Sequence, residues 1–374
     1  MPNTFVQILM INSVEKLFFE LLRVSVGRRD ALSRVPSAKE WRALYGLSVK
    51  QAVAGVCFCG VQRLPKEKVV HLPKQLMMQW FALAEQIKQK NVLVNERVCE
   101  LQRLLEADGL RACVLKGQGI AELYNLDLNL NLNMYRQSGD IDVWVDGERD
   151  DTIRYMKTHY KCGKAVIHHI DVEVFDDVPV EVHFLPSYAY CLPRYRAYKR
   201  FFKAYKDECF VSSGLGFCVP SLRFNVVYLL MHIFRHVFHE GIGLRQLMDY
   251  FFLLKNFNVN LDLNVDRWLR ELGLLRFAGA VMYVEREVFG LQKENMICEP
   301  DEKAGRFLLD EIMRAGNFGQ YDPRIRDAHS GGSVMLYMKN VKRLFSMVRF
   351  YPSEVLWAPF WKIGHCLWRK CKGL

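Results

Sequence analysis

Apolar residues recur at two different periods along this chain, and the change of period divides it. Residues 14–26 carry apolar side chains at helical spacing and stop before Gly27. Ser37 precedes Glu40 by three positions, the spacing of a capping box that opens a helix. After Pro73, residues up to 108 contain neither proline nor glycine and are amphipathic, which predicts one or two long helices. The elements then shorten. Residues 111–115 read as a buried strand, 116–119 as a glycine turn and 120–124 as a helix. An apolar strand over 140–145 and a helix over 148–160 follow. Residues 165–174 and 178–184 alternate apolar and polar side chains, as half-buried strands do, and Phe175-Asp176-Asp177 makes them a hairpin. From about 221 the helical period returns, and 224–238 is strongly apolar. The order predicts an α+β fold, a small mixed β-sheet with helices on one side, flanked by N-terminal and C-terminal helical regions. The expected stretches are 1–108, 109–193, 194–332 and 333–374.

Composition narrows this little further. At 374 residues, 51% hydrophobic and 25% charged, the chain is globular and long enough for two or three packed units. Its 11 cysteines are scattered, with Cys57-x-Cys59 the one tight pair, so a disulfide scaffold is excluded and a reducing cytoplasm is expected. The start, Met1-Pro2-Asn3-Thr4-Phe5, lacks the pattern of a signal peptide, and no apolar run reaches the roughly 18 residues of a membrane span. Charge adds one feature. Of the net +11, most lies in 333–374, which holds eight basic residues and one acidic one, interleaved with Trp357, Phe360, Trp361 and Trp368. Such a segment is either a helix packed by its aromatics with lysines in water, or a peripheral contact for an anionic membrane, a partner protein or a nucleic acid.

Candidate chemistry centres on Ser138-Gly139-Asp140-Ile141-Asp142. A strand's period of two puts Asp140 and Asp142 on one face. Adjacent carboxylates repel unless a cation lies between them, and the hard cation that takes carboxylates while leaving room for phosphates is Mg²⁺. Ser138 and Gly139 are small enough for a phosphate chain to approach the backbone. Upstream, Lys116-Gly117 between a strand and a helix start has the form of a phosphate turn with an added point charge. Downstream, alternation puts Glu181 and His183 on one strand face, which makes Glu181 the expected third carboxylate, with Asp171 and Glu173 as competitors. Arg136, at the end of a polar loop, is either a triphosphate clamp or a solvated arginine. His232, His236 and His239 share a helical face, as zinc ligands, a polar wall of the cleft or packed histidines do. Arg245 and Asp249 stand four apart and are expected to pair. Asn317, between two glycines, lies in a loop able to return to the cleft.

Together Leu115-Lys116-Gly117, Leu123-Tyr124, Gly139-Asp140-Ile141-Asp142, Glu181-Val182-His183, residues 244–249 and Gly316-Asn317-Phe318-Gly319 resemble the uncharacterised nucleotidyltransferase family of the polymerase-β-like superfamily. The glycine turn departs from the wider superfamily: it is Lys116-Gly117, and Gly117 stands 23 positions before Asp140. The resemblance implies a mixed sheet bearing metal-binding carboxylates, and transfer of a nucleoside monophosphate from an NTP. The expected reaction uses Mg²⁺ or Mn²⁺ on Asp140, Asp142 and Glu181. Lys116, Gly117, Ser138, Gly139 and Arg136 lie toward the NTP, and His183, His232, His236, Arg245 and Asp249 toward the substrate. The acceptor is a hydroxyl or phosphate on a small molecule, sugar, protein or RNA. The competing expectation is a catalytically weak nucleotide-binding module, acting as a sensor or an antitoxin-like partner.

Overall fold

Five consecutive residues of strand β2 (Ile141–Val145) are buried, although one of them is an aspartate. That strand is the axis of the fold. The computed structural model describes residues 13–125, 131–258, 264–326 and 341–371. The polar-loop residues 126–130, the N-terminal residues 1–12, and 333–340 and 372–374 of the basic segment lie outside these.

Ahead of the sheet come helices α1 (Ser13–Ser25), α2 (Ala38–Lys50), α3 (Ala54–Arg63) and α4 (Lys74–Ala107). The capping box forms: the Glu40 amide donates to Ser37 Oγ, and the Ser37 amide donates to Glu40 Oε2 at 2.9 Å. α4 is one uninterrupted helix of 34 residues, about 50 Å long. Then follow β1 (Ala112–Val114), a short α5 (Gln118–Ala121), β2, α6 (Arg149–His159), β3 (Lys161–Cys162), β4 (His169–Glu173) and β5 (Val180–His183). The sheet order is β1-β2-β5-β4-β3. β2 and β5 run parallel, and the other neighbours are antiparallel. The predicted hairpin is β4–β5, and it does extend the sheet beside β2. The register sets Asp142 opposite Glu181 on one side, and Glu181 opposite Asp171 on the other.

Helices cover both faces of the sheet, where the sequence order suggested one. Ile141, Val143, Val145, Ile170, Val172, Val180 and Val182 pack with Val94, Val98, Leu101 and Leu105 of α4 and Met156 of α6. The alternate residues point the other way. On that face Trp144 lies against Phe224, the rings 6.2 Å apart, at the start of α8 (Leu222–His239). The chain reaches α8 through α7 (Leu192–Ala204) and the small hairpin β6 (Val211–Ser212) and β7 (Cys218–Val219). After α8 come α9 (Leu244–Asn256), α10 (Asn264–Glu271), α11 (Leu275–Phe289) and α12 (Glu302–Ala315). These helices share one apolar cluster with α1 and α3. Gln51 joins the two groups, accepting the Leu244 amide at 3.0 Å and donating to the Ile312 carbonyl at 3.2 Å. The N-terminal helices thereby fix where α9 begins.

The basic aromatic segment contains a helix, Pro352–Cys371, docked along its inner face. Trp361 stacks on Tyr188 with centroids 4.9 Å apart. Glu354 is buried and accepts the Tyr190 and Cys191 amides, at 2.6 and 3.3 Å, and the Arg194 guanidinium at 2.7 Å. Leu356, Phe360, Ile363 and Leu367 face outward. Among the described residues no cysteine is in a disulfide, and no helix is long and apolar enough to cross a membrane.

Removing the Glu354 carboxylate leaves two amides and a guanidinium without their acceptor in a buried place. Glu354→Ala is expected to lower unfolding stability by about 3 kcal/mol in chemical denaturation. Glu299→Ala, which breaks an exposed pair with Lys293, is expected to leave it almost unchanged.

Candidate active site

The catalytic candidates converge because β2 and β5 are parallel neighbours. Asp142 is 3% exposed and both of its oxygens are engaged. Lys116 Nζ lies 2.7 Å from Oδ2, and His183 Nε2 lies 2.9 Å from Oδ1. Lys116 also reaches to 3.9 Å from Asp140 Oδ1, and His183 to 3.4 Å from Glu181 Oε2. Lys116 and His183 thus thread between three carboxylates, and this pairing outweighs burial. Burial alone would raise Asp142, but Lys116 and His183 hold it below the ordinary carboxylate value. Glu181 is half-buried, which alone would raise it, but His183 and His169 hold it down at about 2. Burial alone would lower Lys116 and His183, but the facing carboxylates hold both above their usual values. A carboxylate at about 2 is a weak proton acceptor near neutral pH, so Glu181 suits metal ligation better than general-base work.

Lys116 was expected to face phosphate. Its ammonium is instead committed to Asp142, because unscreened carboxylates draw in the nearest cation. Gly117 has φ +60°, a conformation few side chains tolerate, and it turns the chain away from β1. The following helix is four residues long, and the amides of Gly119, Ile120 and Ala121 already bond to Lys116 and Gly117 carbonyls.

Arg136 is not a solvated loop arginine, although it lines the cleft. It is buried and forks onto Asp249, Nε to Oδ1 at 2.6 Å and Nη2 to Oδ2 at 2.7 Å. The Tyr124 hydroxyl adds a bond of 2.6 Å to Oδ1. Asn91 of α4 holds this loop by donating to the Met134 and Arg136 carbonyls. Asp249 is thus taken, and the expected Arg245–Asp249 pair does not form. Arg245 turns to the cleft, donating to the Gln137 carbonyl at 2.9 Å and lying against Gly139. Its Nε and the buried Ser138 hydroxyl have no hydrogen-bond partner.

These groups line one cleft, formed by Lys116, Gly117, Arg136, Gly139, Asp140, Asp142, His232, Arg245 and Asp249, with Leu229, Ile233, Gln246 and Phe318. Glu181 and His183 stand behind Asp142. His232 meets His236 edge to face, the ring centroids 4.3 Å apart, and burial pushes both well below the ordinary histidine value. His236 is off the cleft and bonds to Glu240 at 2.5 Å. The possible metal-holding groups among the described residues include none of His232, His236 and His239. They do include Asp142, Glu181 and His183.

With this geometry the chain was compared with known proteins. Residues 37–290 match the model of a family described as uncharacterised nucleotidyltransferase. The chain belongs to that family. No curated protein and no solved structure matches it. This uncharacterised nucleotidyltransferase is accordingly a transferase of nucleotidyl groups, and its matched span takes in every element that lines the cleft except Phe318.

Phe318 and Gln246 are cleft residues that sequence reasoning missed. The signal for Phe318 was the glycine on either side of Asn317-Phe318. Phe318 has φ +50° and ψ +31°, its ring lies 5.4 Å beneath the Arg245 guanidinium, and a Cβ at Gly319 would fall 2.0 Å from the Glu240 carbonyl. His169, 3.5 Å from Glu181, was hidden in the alternation of the β4 strand.

Breaking a buried ion pair exposes the remaining charge to an apolar setting. Arg136→Ala is expected to lower unfolding stability by about 3–5 kcal/mol in urea denaturation, and Arg136→Met with Asp249→Leu to recover most of it. Wild-type stability in Arg136→Ala would refute the structural role.

Proposed function

We propose that this protein is a metal-dependent nucleotidyltransferase that moves a nucleoside monophosphate from an NTP to an acceptor hydroxyl or phosphate. The observation that carries this reading is the register of the platform. Asp142 faces Glu181 across parallel strands, Asp140 precedes it by two residues, and an ammonium lies between Asp140 and Asp142. A place that accepts a cation, built from hard oxygen donors, fits Mg²⁺ or Mn²⁺. Asp140, Asp142 and Glu181 would hold the ion, which supplies charge neutralisation for the triphosphate and the departing pyrophosphate.

The remaining roles follow from position. Asp140 is the most solvent-open of the three carboxylates and faces the cleft mouth. Arg245, with an unpartnered Nε, and the Ser138 hydroxyl flank Gly139, where a phosphate can approach the backbone. His183 orients Asp142 and Glu181 through Nε2. Arg136 and Asp249 act as positioning residues, because their buried fork fixes the loop that carries Gln137 to Asp140. Neutral His232, Gln246 and Phe318 form the opposite wall, and the acceptor is read as entering there. Catalysis in such a cleft comes from positioning and electrostatics.

The test is Mg²⁺-dependent release of pyrophosphate from each NTP, in the presence of cell extract as acceptor source. Asp140→Asn and Asp142→Asn are each expected to lower it at least about 100-fold with the fold intact by circular dichroism. Undiminished release in both would sink the assignment. Thermal stabilisation by NTP without any release in the wild type would favour the nucleotide-binding module.

A further inference from the structure

The platform does not end at Glu181. β4 lies on the far side of β5, and its register sets His169 opposite His183 and Asp171 opposite Glu181. Ile170 and Val172 point into the apolar cluster under the sheet, so His169 and Asp171 stand on the same face as Asp142, Glu181 and His183. The result is a two-by-two array of imidazoles and carboxylates across an antiparallel pair.

The His169 ring stands between the two carboxylates, with Nδ1 3.5 Å from Glu181 Oε2 and Nε2 3.5 Å from Asp171 Oδ1. Nδ1 also meets His168 Nε2 at 3.0 Å. An ion takes a single nitrogen from the ring and an oxygen from each carboxylate. Ligand atoms of His169, Asp171 and Glu181 all fall within 4.8 Å of each other. Exposure rises outward, from His169 at 15% through Glu181 at 28% to Asp171 at 67% of the side chain, which leaves an open path for an ion.

The donor set differs from that of Asp140 and Asp142. Imidazole nitrogen beside carboxylate oxygen favours first-row transition ions, whereas Mg²⁺ favours oxygen alone. We propose that His169, Asp171 and Glu181 form a second cation position, taking a divalent transition ion of the zinc or cobalt class, at the outer edge of the platform. Glu181 belongs to both positions. An ion held there fixes the Glu181 carboxylate from the side opposite the cleft, as His183 does from within.

Cobalt(II) serves as the probe, because its visible absorption reports bound geometry without any nucleotide or turnover. Full-length protein is titrated with CoCl₂ in the presence of millimolar Mg²⁺. One equivalent of absorbing cobalt is expected, displaced by zinc and not by Mg²⁺. His169→Gln and Asp171→Asn are each expected to weaken binding about tenfold or more, and Asp140→Asn to leave it unchanged. Asp171 is exposed, so its variant keeps the test valid if His169→Gln misfolds. Absence of a cobalt spectrum, unchanged binding in both β4 variants, or equal loss in Asp140→Asn would each overturn the proposal. The last outcome would put the ion on the Asp140–Asp142 platform. Pyrophosphate release is read separately, so failure of the nucleotidyl-transfer reading leaves the cobalt result standing.

Discussion

Three carboxylates on one sheet face repel one another, and the architecture around them is the answer to that repulsion. Asp142 is inside the protein, where an unpaired charge is far more unfavourable than in water. It is tolerated because Lys116 takes one of its oxygens and His183 the other. Both partners come from neighbouring backbone: Lys116 follows β1, and His183 ends β5. The strand order β1-β2-β5 is therefore an electrostatic arrangement as well as a hydrogen-bonded one.

Much of the fold was legible because its elements follow a single local period. The β4–β5 hairpin, α6 and the capping box at Ser37 all depend on contacts a few residues apart, and they form where the pattern put them. The pairing of Asp142 with Glu181 was legible for a similar reason, since alternation fixes the face and short connections restrict the neighbours. The Arg136–Asp249 fork was not. Its partners are 113 positions apart, while helical spacing offered Arg245 as a nearer partner for Asp249. The local pair lost because Asn91 holds the backbone of the Arg136 loop and Tyr124 bonds to the same Asp249 oxygen, and a buried two-bond fork outcompetes a pair at the cleft surface. Helices on both faces of the sheet were missed for the same kind of reason, as sequence order shows the crossover helix but not which later helix returns over the other face.

The helical regions do more than enclose the sheet. Gln51 fixes the start of α9 and so the place of Arg245. Glu354 draws the C-terminal helix onto the loop that leaves β5. The loop at Phe318 closes the remaining side in a conformation that a phenylalanine backbone adopts only when its surroundings impose it. Each of these contacts joins segments more than 70 residues apart, so the cleft is a product of the complete described fold and not of the sheet alone.

The ammonium of Lys116 between Asp140 and Asp142 bears on ion choice under the proposed metal-dependent reading. A cation entering the platform would be an exchange, since one positive charge is already tethered there at high effective concentration. Sodium or potassium would offer the same single charge and lose hydration to enter, so it would gain nothing over the resident group. A doubly charged ion would gain. The side chain would then act as a valence filter, setting the threshold for occupancy at two charges before ionic radius or coordination number is tested.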